Sequence, residues 1–586
     1  MQRPGDPVTT IMSKTPNFDA KIKTLLDATQ PGERVCPISG ATWTLTADDI
    51  DRCREWNVPP PVLAPLMRLK ELAGWGAGID LWWKPHALTG KAILSGIHPD
   101  APSPVMTDKE WYEKDWGAEH PLEVDLTKSI LEQTRPLFER VPYPSLSAHG
   151  SDNSVGCGMV ECVDCYMAFG TKSTKDSWYM IRNSYCELMM DCVYMLRAEN
   201  VFTSAKSVGC NTCMQVFECN KCLRSAFLFD CQNCEDCFCS SNLRRKQYVF
   251  QNQQLTKEEY QKRMSEIDLS STMQFEQWRS SFRQLVREKT IWPENFSVNV
   301  QECVGEGMMD CLNCSGFLMA NAKDIVDGWN IFDSDHLDTV VISYNSNDCY
   351  YTSVALNAHN AKFSFVADYS SNCEYAMNCY NCEYCFACVG LQRKRYCILN
   401  KQYTEEEYWT KLDEIKCAML DRGEYGKFFP ANLSPLGVKY GYAYVLAPFT
   451  ADELQKIGGR DDDPVAGMRF APYDVNAPTS NVDEVPDRIA DVGDEWVGKQ
   501  FFDAQANRRF SVNKAELDYR KAHSYPFPRR HYTARLKDLV ASCNGPIQEK
   551  THCAKCQAEI MTSTSVVYPK RTIYCRSCYL TFLETR

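Results

Sequence analysis

Four cysteines near the end of the chain fall as Cys553-x2-Cys556, eighteen residues, then Cys575-x2-Cys578. Two such pairs set four thiolates on two tight turns, the tetrahedral arrangement in which Zn2+ is held by protein ligands alone. No coordination position stays open for water or substrate, so the expected chemistry is structural: one zinc that staples a ribbon. A second run, Cys379-x2-Cys382-x2-Cys385-x2-Cys388, is echoed by Cys231, Cys234, Cys237 and Cys239. It approaches an iron–sulfur motif, yet neither copy ends in the x3-Cys-Pro of a ferredoxin. Ala and Ser occupy the same columns elsewhere, so these thiols read first as small core residues, with additional zinc or a cluster as alternatives.

Two other patterns bear on function. Residues 508–537 carry Arg508, Arg509, Lys514, Arg520, Lys521, Arg529, Arg530, Arg535 and Lys537 against only Glu516 and Asp518. Beside a zinc ribbon, that density of cations is the footprint of a phosphate-backbone binder; the plainer reading is a solvated face that offsets an acidic neighbour. His336 and His359 are the only histidines in the Cys-rich zones, and either could activate a Cys349 thiolate, as in hexapeptide acyltransfer.

The elements that position these residues are repetitive. Between 349 and 397 one position in six is small or a thiol: Cys349, Ala355, Ala361, Ala367, Cys373, Cys379, Cys385, then Leu391 and Cys397. A second column runs three residues out of phase through Thr352, Ala358, Ser364, Ser370, Ala376, Cys382 and Cys388. The first zone has the same two columns, one through Cys186, Cys192, Ala198, Ser204, Cys210, Val216, Cys222, Leu228 and Cys234, the other through Met195, Val201, Ser207, Cys213, Cys219, Ser225, Cys231 and Cys237. A short fixed period with small inward residues is what a parallel β-solenoid requires, and three hexads suggest a coil of about 18 residues. No proline lies between Pro144 and Pro293 or between Pro293 and Pro430, as expected of sheet interiors. The zones are copies at an offset of 148, and Thr256-x-x-Glu259 and Thr404-x-x-Glu407 are capping boxes that start a helix after each.

The outer segments also repeat. At an offset of 467, Trp43, Ile50, Pro59, Pro61, Arg68, Leu69, Lys70 and Leu72 face Phe510, Leu517, Pro526, Pro528, Arg535, Leu536, Lys537 and Leu539. The hairpin matching the zinc ribbon should then lie near His86 and Thr89, where the thiols are absent; Cys36, Cys53 and His86 are the residues from which a site could be rebuilt, a metal-free relic being preferred. The expected layout is a first α+β module (1–145), a Cys-rich solenoid (150–255), a capping helix and connector (256–300), a second solenoid (301–403), its capping helix and connector (404–455), an acidic linker (456–497) and a module with the zinc ribbon (498–586).

With 64 Lys and Arg against 76 Asp and Glu, the net charge of −12 disfavours broad binding to nucleic acid or an anionic membrane. The N-terminus lacks an apolar h-region and no run of about 18 apolar residues occurs. The 31 cysteines therefore read as reduced thiols of a cytoplasmic protein, not as a secreted disulfide scaffold.

The phrases CPISG, VPPP, LTGK, RKRYCILNKQYTEEEY and CAKC…YCRSC together resemble a family of large Cys-rich hexad-repeat proteins with a C-terminal zinc ribbon, known as hypothetical proteins. The resemblance covers nearly the whole chain and implies no activity. The resulting expectation is a mainly β chain with flanking α+β modules, two parallel β-solenoids and a structural Zn2+. Its expected role is a non-enzymatic scaffold for a protein partner or self-assembly, with nucleic-acid binding through the C-terminal module as the alternative and an acyltransferase or thiol or metal redox protein third.

Overall fold

The computed structural model describes residues 13–586 apart from 77, 182–185, 191–197, 206–209, 212, 302, 310, 312–314, 321–335, 344–347, 356–360 and 364. His359, Cys192, Met195, Ser207, Ala358 and Ser364 thus lie outside the described residues, and the side chains of Cys186, Cys210, Cys213, His336 and Cys349 are likewise not described. No described helix is long and apolar enough to cross a membrane.

The two outer segments build the same elements in the same order, 467 positions apart. A hairpin of Gly32–Val35 and Thr42–Leu45 corresponds to Phe501–Asp503 and Arg508–Phe510. Helix Ala47–Trp56, capped by Thr46, corresponds to helix Lys514–Ala522, capped by Asn513. Helix Pro65–Ala73 corresponds to Tyr532–Ser542, and the hairpin Trp82–Pro85 with Ala92–Ser95 to Gln548–His552 with Glu559–Ser563. The caps explain the local folding: each N-cap side chain accepts the backbone N–H three residues on, a donor the helix itself leaves unpaired.

Both Cys-rich zones form parallel ladders, and their register corrects the expected coil. Cys213 pairs with Ser225, Ala226 with Phe238, Cys237 with Val249, Ala367 with Cys379 and Cys385 with Cys397, each 12 residues on. No ladder among the described residues joins positions 18 apart. A hexad column fits any rung that is a multiple of six, so the period alone could not choose between the two. The larger expectation, a mainly β chain dominated by two parallel solenoids, also fails: helices and strands are mixed along the chain, and the strands divide among several small sheets, many of two strands.

The ladders work through a period of three. Among the described residues of the columns, one with φ near +50° precedes the inward thiol: Asp164 before Cys165, Asn233 before Cys234, Asp236 before Cys237, Asn378 before Cys379 and Asn381 before Cys382, but also Lys221 before Cys222 and Tyr384 before Cys385. This left-handed conformation is strained for most side chains and easiest for Asn, Asp and Gly. The thiols are hydrogen-bonding groups as well as small core residues. Cys382 Sγ donates toward the carbonyls of Tyr380 (3.5 Å) and Leu391 (3.4 Å), and Cys388 Sγ accepts the Asn400 N–H (3.4 Å). Hydroxyls do the same: Ser370 Oγ accepts the Cys382 N–H and Ser225 Oγ the Cys237 N–H. Cys, Ser and Thr share the columns because each is a small donor and acceptor.

Both capping boxes are present, at Thr256 and Thr404, and open the helices Lys257–Ser265 and Glu405–Asp421. The second packs against the first described helix, Pro16–Ala28, which buries Phe18, Ile22 and Leu26; Asp413 accepts its Phe18 N–H at 2.8 Å. Residues 456–497 do not run free as a linker. Val485, Ile489 and Val492 are buried with Phe501, Leu517 and Phe527, and Asp487 accepts the Met273 N–H at the start of helix Thr272–Glu288.

Changing Cys388 to Val should strand the buried Asn400 N–H and cost about 1–3 kcal/mol, whereas Cys388→Ser should cost well under that. Urea unfolding midpoints of the two variants measure the difference.

Candidate metal centre

The C-terminal ligand set is built from local geometry. Hairpin Gln548–His552 with Glu559–Ser563 turns through Cys553, whose N–H reaches the Ala558 carbonyl while the Gln557 N–H returns to the Cys553 carbonyl, both at 2.9 Å. Gln557 completes the turn at φ 63. The Ala554 N–H then docks the turn on Ile573 of strand Thr572–Tyr574 at 2.8 Å. That strand delivers Cys575 as the N-cap of helix Arg576–Glu584, with Cys578 in its first turn. All four Sγ atoms lie within 4.8 Å of one another, and Cys556 and Cys575 are 3.7 Å apart. Burial alone would raise the Cys553 thiol, but the backbone N–H groups of Cys556, Cys575 and Lys555 hold it at about 6; the Cys578 N–H likewise lowers Cys575. The set can hold one metal ion through protein ligands alone.

The matching place in the first module carries a different solution. The His86 N–H bonds the Lys91 carbonyl, the Gly90 N–H returns to His86 and the Ala87 N–H docks on Val105, the same three backbone bonds as in the C-terminal ribbon. Here the four ligand positions are His86, Thr89, Thr107 and Glu110. His86 Nε2 lies 2.8 Å from Glu110, its Nδ1 lies 3.3 Å from the Thr89 hydroxyl, and Thr107 with Glu110 forms a capping box. Side-chain hydrogen bonds replace the metal. Cys36 and Cys53 are buried elsewhere and do not join His86.

Among the described residues only one other group of three candidate ligands converges: His98, Asp100 and Asp462. Its lone pairs are already used. His98 Nδ1 accepts the Asp100 N–H at 3.1 Å, so Nε2 carries the proton and donates to the Asp463 carbonyl at 3.1 Å, and Asp462 holds Arg460 at 2.8 Å. Burial pushes His98 down to about 4. Sequence reading missed this cluster, because Asp462 lies more than 360 residues from His98 and Asp100.

Among the described residues, Cys231, Cys234, Cys237, Cys379, Cys382, Cys385 and Cys388, the additional metal ligands considered, form no group of three whose ligand atoms all lie within 4.8 Å of one another. These thiols are buried, free of disulfides and directed at backbone carbonyls, such as Cys231 toward Phe229 (3.4 Å) and Cys385 toward Glu383 (3.7 Å).

The basic segment, the alternative nucleic-acid surface, spends most of its cations on internal partners. Arg520 is fully buried on Glu516 at 2.8 Å, Arg529 donates to the carbonyls of Val482, Val485 and Pro486, and Arg530 pairs with Asp538 at 3.2 Å. Arg508 reaches Asp80 and lies over Trp82, Arg509 bonds the Ala477 carbonyl, Arg535 lies over Tyr179 and Lys537 over Tyr444. Lys521 is half-exposed. A cation spent on an internal carbonyl or carboxylate is not available to a phosphate.

Arg520→Ala should therefore cost about 3–5 kcal/mol of stability, since it leaves Glu516 charged and buried; thermal and urea unfolding read the loss. Replacing His86, Thr89, Thr107 and Glu110 together by Cys should create a second metal site, seen in native mass spectrometry as one more bound ion per chain. Comparison with family models, curated proteins and solved structures finds no match, so the functional reading rests on the geometry.

Proposed function

We propose that the chain is a non-enzymatic scaffold, stapled at its C-terminal ribbon by one structural zinc and offering its ladder faces to a protein partner or a second copy. The observation that carries this reading is the closed set of Cys553, Cys556, Cys575 and Cys578 at a junction between distant parts of the chain. Zn–S bonds of about 2.3 Å in a tetrahedron place sulfurs about 3.8 Å apart, close to the 3.7 Å between Cys556 and Cys575. Hydrogen bonds lower the Cys553 and Cys575 thiols toward the thiolate form that a metal needs, while burial and the neighbouring thiols raise Cys578 to about 12.

The position of the ribbon supports a load-carrying role. Strand Thr572–Tyr574 pairs with Ile291–Pro293 at the entry to the second ladder, while Arg586 donates to the Ser241 carbonyl and Tyr579 bonds Asn242 and Asp230 at the exit of the first. The first module mirrors this. Val105–Met106 pairs with Tyr143–Pro144 before the first ladder, and the Gly117 N–H bonds Gly390 at the exit of the second. Each ribbon joins the start of one ladder to the end of the other.

Metal analysis and a visible spectrum of protein purified anaerobically without added metal test the proposal. One zinc per chain, no colour, and loss of that zinc in Cys556→Ser/Cys578→Ser are expected. Iron with colour, several metals per chain, or none would overturn it.

A further inference from the structure

A cavity of about 730 Å3 opens between the first module, the Tyr350–Tyr351 corner of the second ladder and the turn that follows helix Glu405–Asp421. Its walls are largely apolar and fixed by packing: Phe428 meets Tyr351 edge-on at 5.7 Å and Phe429 stands against Trp75 at the same distance. Most charged groups that line it are engaged. Arg68 holds Asp338 at 3.3 Å and Thr339 at 2.8 Å, and Lys456 holds Asp452 at 2.8 Å and the Ile38 carbonyl at 3.2 Å. Arg422 binds Glu424 at 3.1 Å, which in turn accepts the Ser129 hydroxyl and the Leu131 N–H.

Glu71 and Lys427 are the exceptions. The Glu71 carboxyl lines the cavity and accepts the Tyr351 phenol, while Lys427, exposed at the edge, acts on it without forming an ion pair. A carboxylate offers about four acceptor sites, and one is filled here. Burial lifts the Glu71 carboxyl to about 7, the mark of an acid that lacks a close cation.

The other half of the molecule shows what is missing. At the offset of 467, Glu71 corresponds to Asp538, and Asp538 is paired with Arg530 at 3.2 Å. The position equivalent to Arg530 is Leu63, whose side chain lines the cavity. Where the C-terminal module supplies its own cation, the first module has an aliphatic residue and an open volume.

We propose that this cavity binds a small molecule carrying a protonated amine on an apolar body, the amine bonding Glu71 and the Tyr351 phenol oxygen and the apolar part lying against Tyr350, Phe428 and Phe429. The site goes beyond the scaffold reading and is independent of the metal. Titration calorimetry of the full chain at pH 8 with phenethylamine, and with 2-phenylethanol as its neutral counterpart, tests it. Amine binding is expected to exceed alcohol binding at least tenfold. Glu71→Gln should lose at least tenfold of the amine affinity, and Leu63→Arg, which supplies the internal cation of the other half, should abolish it while circular dichroism shows an intact fold. Equal binding of amine and alcohol, no binding of the amine, or undiminished binding to Leu63→Arg would overturn the assignment.

Discussion

The ladders depend on one repeated exchange of hydrogen bonds around a small inward side chain. Every third residue adopts a left-handed conformation that costs an ordinary side chain of order 1 kcal/mol or more, and it persists only because its neighbours fix it. The thiol or hydroxyl that follows provides that fixing. It donates to the carbonyl two residues back and, at several rungs, accepts the N–H twelve residues on, as Cys388 does for Asn400 and Ser370 for Cys382. Parallel rungs expose backbone groups in a narrow interior where water cannot reach them, so a small donor and acceptor such as Cys, Ser or Thr suits many of the inward positions, with Ala, Val or Leu filling others.

Such ladders need their ends closed, since open rungs invite pairing with other chains. Asn252 and Asn400 finish the first and second ladder, each accepting a backbone N–H through its amide oxygen from the preceding rung, that of Ser241 and of Val389. The two ribbons then tie the exits to the opposite entries. The ribbons solve one geometric problem with different chemistry: four thiols at the C-terminal junction, and a hydrogen-bonded His86, Thr89, Thr107 and Glu110 at the other. Both rest on the same turn and the same docking bond to a neighbouring strand.

The internal duplication is also where the halves part company in charge. The fully buried Arg520–Glu516 pair and the internal carbonyls bonded by Arg509 and Arg529 occupy cations of the C-terminal module, which weakens the electrostatic footprint that its composition suggests. In the first module Leu63 stands where Arg530 stands in the other, and Glu71 is left facing a cavity. A single aliphatic-for-cation exchange thus puts an open, carboxylate-lined volume where the other half has a partly exposed ion pair.

Short-range features were legible in the chain itself. The Cys553–Cys578 spacing, the capping boxes at Thr256 and Thr404, the copies at 148 and 467 and the place of the relic hairpin at His86 all rest on interactions between near neighbours, which spacing encodes directly. Asn or Asp before several ladder cysteines, as at Asp164, Asn233 and Asn381, is a further local signal of the left-handed residue. Tertiary structure alone decided the rest. A hexad is equally consistent with rungs of 12 and 18 residues, and only the register of neighbouring strands selects 12. The partners of Arg529, Arg68 and Glu71 lie 43 to 280 positions away. Whether a charge faces solvent, a carbonyl or an empty cavity is set by which distant segment packs over it, and composition carries no record of that.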